Sequence, residues 1–172
     1  MIKKMPKWVG VVVIALAVSS ILFLLFYPWH IVLRITTVKT SQVVLCARMD
    51  EGEEFIFSFI HSVNKRPVYE TLRVFKDHLL IVKSRFDSFG AGMPENSTPE
   101  GSLKVGSDGW LEWTVNRPVP EVKFFVGWVS NLTLRLRGRE IVLTNLVEPG
   151  TSLSIQAQKS SYYEIWKSRC LR

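Results

Sequence analysis

The sequence predicts an all-β domain, a small antiparallel sandwich or barrel, carried behind one N-terminal transmembrane helix. Three observations lead there. No residue from Trp8 to Trp29 is charged, and Val9–Phe26 forms an 18-residue apolar run. After that run, short alternating or continuous apolar stretches recur between Gly, Pro, Asn and Asp, the pattern of strands and turns. Between residues 30 and 158 no useful amphipathic helix is visible at the three-to-four spacing that one would need.

The apolar run is justified by its length and its flanks. A helix of about 20 residues crosses a hydrocarbon core of roughly 30 Å. Trp8, Tyr27 and Trp29 mark its ends with residues suited to headgroup zones. A cleaved signal peptide has an apolar region of only about 7–15 residues. Cleavage at the small residues Ala15, Ala17 or Ser19 would leave a mature chain beginning close to Ile21–Phe26, so an uncleaved anchor over residues 8–29 is expected. Lys3, Lys4 and Lys7 place residues 1–7 in the cytoplasm and the bulk of the chain outside it, a bias that His30 and Arg34 weaken slightly. The β-domain then takes residues 30–158 and a tail takes 159–172.

The strands follow in order. His30–Val38 and Ser41–Met49 come first, then Glu54–Ser62 and Val68–Phe75 as a hairpin, then His78–Phe86 after the polar turn Lys76-Asp77. Trp110–Val115, Val122–Val129, Leu132–Arg137, Glu140–Asn145 and Ser152–Gln156 complete the set, with turns at Asp108-Gly109, Gly138 and Pro149-Gly150. In the hairpin, Phe55, Phe57 and Phe59 share a face by the period of two, and His61 continues it. On the return strand Val68, Leu72 and Val74 are apolar, with Glu70 among them. Bringing the two faces together pairs odd positions with even ones. A register that sets Phe59 opposite Leu72 also sets His61 opposite Glu70. An imidazole–carboxylate pair at the hairpin's end, on the core side, is the sharpest chemical expectation.

One loop adds to it. In Phe86–Pro94, Gly90 and Gly92 flank Ala91 and allow a positive φ or a close backbone approach, and Pro94 stiffens the exit. Gly-x-Gly without a following lysine and helix is no phosphate loop. The third strand runs parallel to the first, so Ser88–Pro94 is expected at the same end of the sheet as His61. Its plain reading is a tight corner between sheets; its functional reading is the rim of a binding site. The stretch Glu95–Gly106 is polar and expected to be a mobile loop. In the tail, Ser161-Tyr-Tyr-Glu164 fits a capping box. Tyr162, Ile165 and Trp166 would share a helical face, either docked on the β-domain or touching the membrane surface, with docking or disorder the favoured reading. Cys46 and Cys170 permit a disulfide in an oxidising compartment. Because Cys46 shares strand parity with Gln42 and Arg48, and the tail looks loosely attached, two free thiols are expected.

Charge and chemistry narrow the function. The net charge is +7, and setting aside the first three lysines leaves +4, spread among acidic residues. That is too mild for a nucleic-acid partner. A His61–Ser62 dyad is disfavoured, since neighbours on a strand point to opposite faces. Ser88 is the better hydroxyl for an acid–base–nucleophile set with His61 and Glu70, but no Gly-x-Ser-x-Gly turn surrounds it. The foremost reading of His61, Glu70 and Ser88 is structural, a polar pair closing the core and a hydroxyl capping the loop; ligand contact comes next and catalysis last. The three histidines, His30, His61 and His78, show no metal-ligand spacing. No metal and no cofactor is expected.

Phe59-x-His61-Ser62-Val63, Pro67-Val68-x-Glu70 and Phe86-x-Ser88-x-Gly90-Ala91-Gly92-x-Pro94 together resemble the uncharacterised bacterial and archaeal family numbered 1850 among the domains of unknown function. Leu143–Ile155, with Pro149-Gly150-Thr151, is similar as well, so the resemblance runs from about Ile31 to Ile155, and the tail from Lys159 looks like an addition. The resemblance implies a small membrane-anchored or exported protein, often encoded beside tripartite transporter permeases that work with an extracytoplasmic solute receptor. It implies no activity and no catalytic residue. The expectation is a non-enzymatic accessory or binding module at the membrane, with a permease or its solute receptor as partner. Its candidate contact residues are His61, Ser62, Pro67, Glu70, Ser88, Gly90, Ala91, Gly92 and Pro94. An exported hydrolase and a structural envelope protein are the alternatives, and the oligomeric state is not legible.

Overall fold

A computed structural model describes residues 7–90, 92–128 and 131–171. Helix α1 (Lys7–Phe26) covers the apolar run and is exposed along nearly all of its length. A helix apolar on every side has no polar face to give to water; α1 is long and apolar enough to cross a membrane. Lys3, Lys4, Ala91, Val129 and Arg172 lie outside the described residues.

Eleven strands follow: β1 (His30–Thr37), β2 (Val43–Met49), β3 (Glu54–Ile60), β4 (Pro67–Phe75), β5 (His78–Phe86), β6 (Gly101–Val105), β7 (Leu111–Val119), β8 (Val122–Phe125), β9 (Thr133–Leu136), β10 (Arg139–Val142) and β11 (Ser152–Ser160). They form two antiparallel sheets, one of four strands in the order β2-β1-β11-β8 and one of seven in the order β10-β9-β3-β4-β5-β7-β6. The sheets face each other as a β-sandwich. Leu33, Ile35, Ala47, Leu153 and Ile155 from the smaller sheet pack against Phe55, Phe57, Leu72, Val74, Leu79 and Leu134 from the larger. A second, smaller cluster of Val68, Phe86 and Leu111 closes one corner.

The sandwich has two distinguishable ends. β1 leaves α1 at His30, which pairs with Ser160, while Thr37 pairs with Leu153 at the far end. β2 returns to Met49 beside Ile31, and the turn through Asp50–Glu53 carries the chain to the other sheet. β3 therefore starts near α1 and runs away from it. The β3–β4 turn, the exit of β5 and the end of β8 at Phe125, opposite Ser152, all lie at the end far from α1.

Two expectations are corrected here. Gly101–Val105 lies inside the stretch expected to be a mobile loop, yet it is an edge strand paired with β7. Its polar sequence hides it, because an edge strand has only one partner and a short contact face, here Leu103 against the second cluster. The cysteines are also not free thiols. Cys46 and Cys170 form a disulfide, and Cys46 is buried. Its parity does point it away from the sandwich core, but the tail covers that face. Leu171 donates to the Cys46 carbonyl and accepts from the Arg48 amide, extending the edge of β2 by one bridge. The expected capping box is present: Ser161 caps α2 (Tyr162–Lys167), and Glu164 accepts from the Ser160 hydroxyl and the Ser161 amide.

Candidate functional site

The hairpin places its aromatic face inward as its alternation requires, but in another register. Phe55 pairs with Leu72, Phe57 with Glu70 and Phe59 with Val68. Odd still meets even, so the faces match, yet the return strand is displaced by four residues from the expected pairing. The turn decides this. The His61 amide donates to the Arg66 carbonyl, and the Lys65 amide, at φ +54°, donates to the His61 carbonyl. A turn that closes so tightly at 61–66 keeps His61 out of the ladder and sets Pro67 opposite Ile60. His61 and Glu70 consequently do not pair: among the described residues no hydrogen bond or ion pair joins them. His61 Nδ1 accepts from the Val63 amide at 3.3 Å.

They share something else. His61, Ser62 and Lys65 form the rim of a cleft whose floor and inner wall are Phe57, Phe59, Ile60 and Glu70. The opposite wall is β8 with the segment after it, through Phe124, Phe125, Trp128 and Leu132. The cleft has a volume of about 640 Å³, within the roughly 300–1,000 Å³ of small-molecule sites. Phe57 and Phe124 meet across its base with ring centroids 4.8 Å apart. Its outer wall is unusually bare: Phe125 is 61% and Trp128 87% exposed.

Glu70 is the chemical anomaly of this cleft. It stands on the inward face, opposite Phe57, and no donor reaches its carboxylate among the described residues. Burial pushes its carboxyl above the ordinary value, and the charge of Arg117 only partly opposes the rise. Burial of this kind disfavours the charged form relative to an exposed carboxylate. The rim supplies the opposite sign. Lys123 is engaged by Glu121 at 2.5 Å, whereas Lys65 has no such partner among the described residues. The arrangement can therefore hold an apolar body between aromatic walls and offer a cation at the mouth.

The glycine loop stands nearby but outside the cleft. Asn64, from the turn, donates to Ser88 Oγ at 3.3 Å. Arg66 donates to Asp87 through Nε at 3.1 Å and again through Nη2. These contacts bring the β5 exit beside the hairpin turn, as the meander argument expects. Yet Met93 packs into the second cluster. Neither Pro67 nor Ser88, Gly90, Gly92 or Pro94 lines the cleft. Gly92 takes a positive φ of 81°, and a side chain at Gly90 would collide with the Asn64 amide. The loop thus braces the turn that carries His61. Ser88 Oγ accepts from Asn64, and among the described residues no hydrogen bond joins Ser88 to His61.

Sequence reasoning missed the β8 wall. A signal for it exists in Phe124-Phe125-x-x-Trp128: adjacent aromatics on a strand cannot both face the core. Phe124 packs inward against Phe57, and that leaves Phe125 outside.

Residues 55–143 match the family model of a domain of unknown function (DUF1850). The match is shorter than the span from Ile31 to Ile155 that the sequence motifs indicate, and it contains both walls of the cleft. No curated protein and no solved structure matches the chain.

Proposed function

The chain belongs to the DUF1850 family, and from that premise we propose that it is a membrane-anchored binding module outside the cytoplasm. Its cleft, at the end of the sandwich far from α1, takes an amphipathic small molecule. The apolar body lies between Phe57, Phe59, Phe124, Phe125 and Trp128, and an acidic head meets Lys65 at the rim. The observation that carries this reading is the cleft itself, an aromatic cavity with a half-buried carboxyl in its wall. Glu70 is half-buried in this wall with no hydrogen-bond donor among the described residues, so its carboxyl is open to a ligand that enters the cleft. The extracytoplasmic placement draws on the lysines before α1 and on the Cys46–Cys170 disulfide, a bond favoured in oxidising compartments. The transporter neighbourhood implied by the family resemblance makes a permease or its solute receptor the first partner to test.

Native mass spectrometry on the full chain, extracted from its membrane in lipid discs, tests the cleft. The expected result is a small-molecule adduct on the wild type that disappears in the double variant Phe125→Ser/Trp128→Ala while the fold is kept. No adduct on the wild type, or one that survives the double variant, contradicts the proposal. Orientation is tested separately: Asn96→Cys is expected to react with a membrane-impermeant thiol reagent on intact cells, and labelling only after lysis reverses the topology.

A further inference from the structure

The tail carries an observation that the cleft does not use. α2 has no buried residue of its own, although its flanks are fixed from both sides. Upstream, Ser160 ends β11 beside His30, and Ser161 caps the helix. Downstream, Cys170 is bonded to Cys46, and Leu171 is held between the Cys46 carbonyl and the Arg48 amide. A segment tethered at both ends and yet bare of core contacts is being positioned for something other than packing in the sandwich.

What α2 touches is the end of α1. The Tyr163 ring lies against Phe26 with centroids 5.1 Å apart, and Tyr162 meets His30 edge-on at 4.2 Å. Leu25, Phe26, Tyr162, Tyr163 and Trp166 border an almost wholly apolar groove of about 330 Å³. Trp166 projects from it, 78% exposed. On the α1 side, Phe23, Tyr27 and Trp29 stack on one another and are also exposed. Lys167 and Arg169 follow the aromatic group in the chain, and neither makes an ion pair among the described residues. Aromatic rings mixed with unpaired cations, at the level where an apolar helix ends, are the composition that a headgroup zone selects.

We propose that α2 lies in the headgroup layer of the bilayer that α1 spans, with Trp166 and Tyr163 at the acyl boundary and Lys167 and Arg169 toward anionic lipid. The inference rests on the reading of α1 as an uncleaved anchor. Its consequence is mechanical. A single spanning helix leaves a domain free to tilt, whereas a second, disulfide-tethered contact beside it fixes the sandwich with its cleft facing away from the membrane. Lipid is preferred over a second protein as the occupant because the surface is continuous with the end of α1 and shares its aromatic composition.

Spin labels on the full chain in vesicles of phosphatidylcholine with phosphatidylglycerol test this, with accessibility to oxygen and to a water-soluble nickel chelate as the readout. Three single variants are compared: Trp166→Cys on α2, Leu16→Cys at the middle of α1 and Val105→Cys on the far edge strand. The expected order of protection from the chelate is Leu16 first, Trp166 intermediate and Val105 unprotected. A label at 166 as open to the chelate as the one at 105, with 16 still protected, overturns the α2 inference and spares the anchor. A label at 16 open to the chelate overturns the anchor reading, and the α2 inference with it. Replacing phosphatidylglycerol by phosphatidylcholine alone is expected to reduce protection at 166 and leave 16 unchanged. Equal protection at 166 in both vesicles overturns the roles given to Lys167 and Arg169.

Discussion

Three carboxylates separate the two ends of the sandwich. Near α1, Glu164 accepts from Ser160 and Ser161, and Glu53 accepts from Arg137, whose Nη2 also donates to the Arg48 carbonyl at 2.7 Å. Donors hold both carboxyls below the ordinary value: the Ser161 amide and the Ser160 hydroxyl for Glu164, the Arg137 guanidinium for Glu53. At the far end Glu70 is half-buried with no donor among the described residues and is pushed the other way. Exposed aromatics occur at both ends, so they do not tell the ends apart. The carboxylates do: near α1 they knit backbone and tail together, and at the cleft Glu70 has no such donor among the described residues.

The comparison can be broken most severely at the tether. A Cys46–Cys170 link spans 124 residues of sequence, and a loop of that size is worth roughly 4–5 kcal/mol in the chain-entropy account. Cys170→Ser, or reduction, is therefore expected to give the largest loss, read as a fall in midpoint by denaturant unfolding. An unchanged midpoint would show that the tail does not staple the near end.

Next in size is the contrast between core and cleft wall. Leu72→Ala empties a fully buried site and is expected to cost about 2–5 kcal/mol. Trp128→Ala, on the exposed wall, is expected to stay within about 0.5 kcal/mol of wild type. A large cost at Trp128 would make the wall a piece of core rather than of a site.

The carboxylates give a smaller effect with opposite signs. Glu70 binds its proton more tightly folded than unfolded, so its contribution is fully present below the ordinary value of 4.5 and is lost as pH rises through the folded value. Glu70→Gln is thus expected to raise the melting temperature at pH 7 and to lose that gain in acid. Glu164 has a lowered pKa, so its contribution is present above 4.5 and fades as pH falls through the folded value. Glu164→Gln is expected to lower the melting temperature at pH 7, with the difference shrinking in acid. Melting curves of both variants across pH 3–8 check the crossing; two parallel profiles would erase the distinction between the ends.

The smallest effect concerns the brace. Arg66–Asp87 is a surface pair with Arg66 largely exposed, and such pairs add little to stability. Arg66→Ala is expected to leave global stability nearly untouched and to speed amide exchange in the 61–66 turn. Unaltered exchange there would mean that Asn64 and the turn's own backbone bonds suffice.

The legible parts of this chain were those fixed by period and length. The apolar run, ten of the strands in order, the capping box and the inward alternation of Phe55 and Phe57 all follow from local pattern. The hairpin register did not, because alternation fixes parity alone. The closing residues of the turn choose among registers of one parity, and His61 lost its place opposite Glu70 to those backbone bonds. The disulfide was hidden for a different reason: nothing on β2 says that a tail more than 100 residues later will cover its outer face. The cleft was half legible. His61, Ser62 and Glu70 line it, though the hairpin pattern suggested a His61–Glu70 pair rather than a cleft. The glycine loop stands beside the cleft without lining it, and the β8 wall was invisible until the smaller sheet set Phe124 against Phe57.

The central claim is that the far end is a binding cleft, and a titration with anilinonaphthalene sulfonate tests it most directly. The probe has an apolar ring system for the aromatic walls and an acidic head for Lys65. The full chain in lipid discs is compared with Phe125→Ser/Trp128→Ala and with Val105→Ser, after subtraction of empty discs. The account predicts saturable binding that weakens about tenfold or more, roughly 1.4 kcal/mol, in the double variant and is unchanged in Val105→Ser. Equal binding by all three proteins would contradict it.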